Sequence, residues 1–298
     1  MRITNSKLKL TALAVITFSI FAASAFSTIS KQEDKNNPAP EKPTEQQLRA
    51  GYNFMQTKVY TKQQDRQILE LFRGLRVSDV SDGMDKAGLA DVGLMSAEIH
   101  ASWKDTTHFT HRFVGIAVTV RYVPTNQPAA RGNMSIKEFD DWIDYMYANV
   151  TGEPFVEILR AGAALVIDDD PSTDAGNIGS HNIMEWKSKG CVGVVTSGGA
   201  RDTDEVAAQK IPLYIKKVTR GIRPGRNIIE SVNRPVSCGG VLVCPGDVIV
   251  ADGDGVIVVP REKAKEVAEY ALETIKGDKA GRRELYKELD MAPDDSVK

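Results

Sequence analysis

Two short runs carry the side chains best suited to chemistry. The first is Gly176-Asn-Ile-Gly-Ser-His-Asn182, and the second is Ser197-Gly-Gly-Ala-Arg-Asp202. A helix is expected over 180–189, opened by Gly179. The backbone N–H groups of Ser180, His181 and Asn182 would then have no acceptor within the helix. Such a helix start suits a carboxylate or a phosphate. In the second run, Gly198-Gly199 reads as a turn that swings Arg201 and Asp202 off the end of the strand Val192–Thr196. A guanidinium can grip a carboxylate with two parallel hydrogen bonds. An aspartate can hold a hard divalent cation whose other ligands are mostly water, as Mg²⁺ prefers. Together these groups describe a site for a 2-oxo acid. A competing reading exists, because Asp202-Thr-Asp-Glu205 also has the spacing of a helix capping box. Asp202 would then be a cap and Arg201 an exposed turn residue.

Other candidates are weaker. Asp168, Asp169, Asp170 and Asp174 sit at the end of an expected strand and read as a metal set or, with more weight, as a solvated acidic loop. Asp252-Gly-Asp-Gly255 lacks the ligand spacing and terminal Glu of a calcium loop and reads as a hairpin turn. His181 is either a base within the cradle or a residue of which only the backbone matters. His100, His108 and His111 show no metal-binding spacing. Three cysteines are too few for a disulfide framework. Cys238 and Cys244 flank an extended-looking stretch, so free thiols are expected.

The elements that must position these residues follow from periodicity and punctuation. Helices are expected at 62–74, 77–88 (opened by Ser78 and Asp79), 135–149, 202–210 and 262–275. Strands are expected at 113–120, 163–167, 192–196 and 211–215, with a hairpin of 241–243 and 248–250 around Cys244-Pro-Gly-Asp247 and another at 252–255. Strands that alternate with helices and then pair in hairpins argue for an α/β fold with a mixed sheet.

Of 298 residues, 26% are charged and 42% hydrophobic, which excludes a disordered chain, a collagen-like fibre and a polytopic membrane protein. A net charge of −2 argues against a nucleic-acid partner. Arg2, Lys7 and Lys9 precede an apolar stretch that ends at Ala23-Ser24-Ala25, the pattern of a cleaved secretory signal over 1–25. Export to the periplasm or medium, with no membrane span retained, is the expectation. Residues 26–48 read as a polar tether, and the folded domain as 49–298.

The chain resembles the 4-hydroxy-4-methyl-2-oxoglutarate aldolases, the family that includes the regulators of ribonuclease activity A. The resemblance runs through about 75–260. It is carried by 77–88 (VSDVSDGMDKAG), 115–120 (GIAVTV), 190–205 (GCVGVVTSGGARDTDE) and 238–260 (CGGVLVCPGDVIVADGDGVIVVP). It implies a mixed-sheet β/β/α sandwich of the swivelling-domain type, assembled as a homotrimer or hexamer with sites between subunits. It implies a lyase that needs a divalent metal, Mg²⁺ or Mn²⁺, and releases pyruvate from a hydroxy-oxo diacid or decarboxylates oxaloacetate. The non-catalytic alternative is a regulatory or ligand-binding protein. Arg201 maps onto the family's catalytic and substrate-binding arginine, Asp202 onto its metal ligand, and Gly179, Ser180, His181 and Asn182 onto the loop that binds the substrate carboxylate. One position departs: the aldolases have an acid where this chain has Ser180, and serine is not a base at neutral pH. Residues 138–160 are also longer than the family's usual connection.

Overall fold

The computed structural model describes residues 42–297. The signal-peptide reading and most of the tether fall outside that range. Within the stretch read as tether, Thr44 and Gln47 cap each other's backbone and start a short helix, α1 (Glu45–Ala50). It lies in a small N-terminal unit that ends at Phe54, and the chain from Met55 onward forms a second unit.

The second unit runs α2 (Lys62–Leu71), α3 (Val77–Lys86), β1 (His100–Ala101), β2 (Phe113–Pro124), α4 (Ile136–Asn149), β3 (Ala163–Asp168), β4 (Gly176–Ile178), α5 (Ser180–Ser188), β5 (Cys191–Ala200) and α6 (Thr203–Ala208). It continues β6 (Leu213–Val218), β7 (Asn227–Val232), β8 (Val236–Cys238), β9 (Val241–Val243), β10 (Val248–Asp252), β11 (Gly255–Val259) and α7 (Ala264–Glu288). The main sheet has the order β1-β6-β5-β3-β2-β10-β11, with β4 on β5 and β7 on β2. The pairs among β2, β3, β5 and β6 are parallel, whereas β10 is antiparallel to both β2 and β11. The sheet is therefore mixed, as expected.

Side chains alternate between its two faces. On β3, Ala164 and Val166 join a core completed by the β8–β9 ribbon through Val236, Cys238, Val241 and Val243. Ala163, Leu165 and Ile167 point the other way, against Ile183 and Trp186 of α5 and Val206 of α6. Beside them, α2, α3 and α7 cover β10 and β11 through Phe72, Val80, Met84, Val267 and Ala271. Ribbon, sheet and helices form the β/β/α layers. Parallel strands covered on both faces need apolar residues at nearly every position, which is why 163–167 and 192–196 read as buried strands.

Several local expectations change. Gly198-Gly199 is not a turn but the last part of β5, and the glycines answer to space. A Cβ at 198 would lie 2.6 Å from Asp169 Oδ2, and one at 199 would lie 2.2 Å from Thr219 Cγ2. The 241–250 hairpin does not form: β9 pairs with β8, and β10 pairs with β2 and β11. Cys244–Asp247 is still a turn, closed by Asp247 N–H on Cys244 O at 3.1 Å. Helix α3 starts at Val77 as expected, with Asp79 accepting the backbone N–H of Arg76 at 2.9 Å, but it ends at Lys86. Helix α7 continues to Glu288, well past residue 275. Helix α4 forms behind its Ser135 cap, but its apolar residues do not all face inward: Met146 is buried and Ile136 is 83% exposed.

Candidate active site

The two chemical runs meet at the C-terminal end of β5, between β4 and β6. β4 pairs with the end of β5, so Ile178 lies beside Ala200. The N–H of Arg201 donates to Ile178 O at 2.9 Å. That register sets the start of α5 against the end of β5, and it brings Gly179–Asn182, Arg201 and Asp202 into one place.

Asp202 decides between the two readings of its sequence. Its backbone is left-handed, with φ 56° and ψ 38°, and its side chain makes no cap bond to α6. The carboxylate turns back to α5 instead. Oδ2 accepts the Ser180 N–H at 3.0 Å and the Ser180 hydroxyl at 3.4 Å. The capping-box reading of residues 202–205 therefore fails at Asp202. A non-glycine residue in the left-handed region costs of order 1 kcal/mol or more and persists only where its surroundings enforce it. Here the strained backbone places an anion on the free donors of a helix start.

Arg201 lies alongside. Its Nε is 3.7 Å from Asp202 Oδ1, too long for a hydrogen bond. Its aliphatic stem covers Gly176, where a Cβ would be 3.2 Å from Cγ and Cδ. The Arg201 and Asp202 side chains are each 37% exposed, so guanidinium and carboxylate both face solvent beside the helix start. Gly179 leaves room for this: a Cβ there would sit 2.9 Å from Asp202 Oδ2. The imidazole of His181 is exposed on the first turn of α5. The Asn182 side chain donates from Nδ2 to Glu153 Oε1 at 2.7 Å, while its Oδ1 lies 3.5 Å from where a Cβ on Gly179 would sit.

The acids after β3 do not form a metal set. Asp168 faces Arg121, at 3.4 Å. Asp170 accepts the Ser172 N–H, and Asp174 pairs with Arg220. Asp169 is buried and accepts from Asn177 and Asn227. Burial pushes its carboxyl up to about 6, against the hydrogen bonds of Asn227 and Asn177 that pull it down. The solvated-loop reading thus holds for Asp170 but not for Asp169. The three histidines stand apart: His111 is buried with Nδ1 accepting from Asp105 N–H, while His100 and His108 are exposed. Asp252 binds the Val77 and Asp254 N–H groups and closes the β10–β11 hairpin.

Among the described residues, no three His, Cys, Asp or Glu side chains converge on a metal position. The donor set at Asp202 is one carboxylate, freed from capping and partly exposed. It fits a hard divalent cation that keeps most of its waters, and it does not fit a closed zinc site.

Sequence reasoning missed the groups behind the cradle. Glu153 accepts from Asn182, from Trp186 Nε1 at 2.7 Å and from Arg223. Arg223 is 3% exposed. No local pattern joins positions 153, 182 and 223; Arg223-Pro-Gly-Arg226 was the visible signal, a charged pair around a turn.

The chain is similar to several known proteins. A 4-hydroxy-4-methyl-2-oxoglutarate aldolase of Thermus thermophilus is 31% identical over 102 residues, which is 34% of this chain and 60% of that protein. A putative aldolase of the same name from Halalkalibacterium halodurans is 32% identical over 124 residues, covering 42% and 59%. The matches thus span about three-fifths of these relatives' own length. The crystal structure of Streptomyces coelicolor RraAS2, described as an unusual member of the RNase ES inhibitor RraA family, superposes with a TM-score of 0.59 at 23% identity. It covers 74% of this chain and 98% of that one, and it shows the same fold. The RraA-like family model, described as Aldolase/RraA, matches residues 77–258, and the chain belongs to that family.

Proposed function

We propose that the site is that of a lyase acting on a 2-oxo acid with a divalent cation, Mg²⁺ or Mn²⁺, held by Asp202. The observation that carries this reading is the Asp202 carboxylate resting on the Ser180 N–H instead of capping α6, with Arg201 beside it. With the Ser180 N–H held by Asp202, the cradle N–H groups of His181 and Asn182 bind the substrate carboxylate. A bound cation supplies Lewis-acid polarisation of the carboxylate and keto oxygens. Arg201 stabilises the negative charge that builds on the keto oxygen as the enolate forms. In retro-aldol cleavage a base takes the proton of the C4 hydroxyl. The C3–C4 bond then breaks as C4 becomes the keto carbon of a departing second 2-oxo acid, its electron pair goes to the enolate, and protonation at C3 gives pyruvate. In oxaloacetate decarboxylation the bond to the departing CO₂ breaks instead, and the same enolate follows. That second route needs no hydroxyl deprotonation.

Ser180 cannot supply the base. His181, exposed on the same turn, takes that role in the proposal. The same substitution favours a second reading, a protein that binds a 2-oxo acid without turnover. A pyruvate-release assay over a panel of 2-oxo diacids, with Mg²⁺ and with EDTA, tests both. Metal-dependent release supports the lyase. Oxalate binding without release supports the second reading, and neither activity defeats both.

Export and assembly as a homotrimer or hexamer belong to the same proposal. N-terminal sequencing of the exported protein and sedimentation of the mature chain test them; an N-terminus at Met1 would refute the signal cleavage.

A further inference from the structure

Behind the cradle lies a chain of buried polar groups that the reaction above does not use. Glu153 is its centre. Oε1 accepts from Asn182 Nδ2 at 2.7 Å and from Arg223 Nη2, while Oε2 accepts from Trp186 Nε1 at 2.7 Å. Asn182 and Trp186 are four apart on α5 and so share one face. A single carboxylate therefore holds the first turn of that helix and the turn after it. Arg223 is held in turn. Its Nη1 donates to Tyr122 OH at 2.7 Å, and the phenol donates to Gly152 O at 2.8 Å. The rings of Tyr122 and Tyr147 lie 5.4 and 5.3 Å from its guanidinium carbon. Burial works against the Arg223 cation, but Tyr122 and Glu153 outweigh it and keep the guanidinium above its usual range.

A buried ion pair is a poor device for stability alone. Desolvation consumes most of what the attraction returns, and apolar residues of the same volume often do as well or better. What such a pair provides here is direction. Two hydrogen bonds at fixed positions on α5 set the rotation and tilt of its N-terminus, and so the aim of the His181 and Asn182 N–H groups. A misplacement of about 1 Å in a binding group is enough to cost on the order of 10²-fold in rate. Both anchors come from the segments around the long 125–160 connection and the 219–227 loop, which frame the cradle from behind.

We propose that Glu153, fixed by Arg223, is the positioning residue of the anion cradle: it orients the α5 N-terminus for the ligand carboxylate without touching the ligand. The proposal rests on the cradle binding a carboxylate, and the test separates the two. Oxalate and Mg²⁺ are titrated by calorimetry into wild type, Glu153→Gln and Asn182→Ala, and amide hydrogen exchange is followed in the ligand-free proteins. Oxalate affinity, measured with Mg²⁺ saturating, should fall about tenfold in both variants. Affinity for Mg²⁺ alone should stay within twofold, because the Asp202 backbone is carried by the end of β5 and its pairing with β4, and its bond to the Ser180 N–H is not one that Mg²⁺ requires. Exchange over 180–186 should accelerate while that of α3 and α7 is unchanged. A general loosening would weaken Mg²⁺ binding and raise exchange everywhere, and that result overturns the proposal. So does oxalate binding at wild-type strength in both variants. If wild type itself binds no oxalate, the carboxylate reading of the cradle fails, and the exchange pattern alone decides for or against Glu153. Asn182→Ala removes a half-buried side chain, so it reports even where Glu153→Gln fails to fold.

Discussion

At Asp202 two demands meet in one residue. Its left-handed backbone is a cost, and its carboxylate lies where it can serve a cation and a helix start together. Asparagine tolerates the same backbone and keeps an oxygen for the Ser180 N–H. Asp202→Asn should therefore change stability by no more than about 0.5 kcal/mol, yet abolish divalent binding seen by calorimetry. Binding that survives in this variant would place the cation elsewhere. Ser180 sets the second expectation. Its hydroxyl lies 3.4 Å from Asp202 Oδ2, so a carboxylate introduced there abuts Asp202. Ser180→Glu should tighten Mg²⁺ binding, because two adjacent negative charges gain from a cation between them. It should also raise aldol cleavage more than decarboxylation, by up to the 10²–10⁴-fold that general acid–base help typically contributes. Equal gains for both reactions would show that proton transfer to a base is not what limits this chain.

At the scale of elements, β5 does most to build the site. It runs four residues past Thr196, the expected end of the strand, because Gly198 and Gly199 clear Asp169 and Thr219 rather than turn the chain. Gly199→Ala would place a methyl 2.2 Å from Thr219 Cγ2 in a buried setting, and overpacking of that kind costs about 1–3 kcal/mol. Thr219→Ser removes the opposing methyl and should restore part of the loss. Failure of that rescue in thermal melts would mean that strand geometry, not the contact, requires glycine. The same strand shows what a sequence conveys. Val192–Thr196 is legible because a strand buried on both faces must be apolar throughout. Its last four residues are not, because the neighbours of Gly198 and Gly199, Asp169 and Thr219, are 29 and 20 positions away. Helix α5 and its opening at Gly179 were legible from local punctuation. The pairing of β9 with β8 was not, since the Cys244–Asp247 turn has the same chemistry whether or not a hairpin follows. Arg201, Asp202 and the cradle were legible as types and spacings. Glu153, Arg223 and Asn177 were not, because only the folded chain joins them.

For the molecule as a whole, Asp169 writes a signature into the dependence of stability on pH. Its carboxyl titrates near 6 in the fold, mainly through burial, and near 3.9 when unfolded. The folded state thus holds the proton more tightly. The corresponding stability is fully present below about pH 3.9 and is lost as pH rises through about 6. Asp169→Asn lacks that loss. Its stability relative to wild type should improve by on the order of 2–3 kcal/mol between pH 4 and pH 7.5, whatever the offset at either end. A difference that stays flat across that window would show that Asp169 does not titrate abnormally. The long reach of the buried polar chain has a kinetic counterpart. Arg223 bonds to Glu153 across 70 positions and to Tyr122 across 101. Contacts that close such loops form late, after helices and neighbouring strands, because loop entropy is spent before they reward it. A refolding chain should therefore regain its helical ellipticity first, and its power to capture oxalate only in a slower phase.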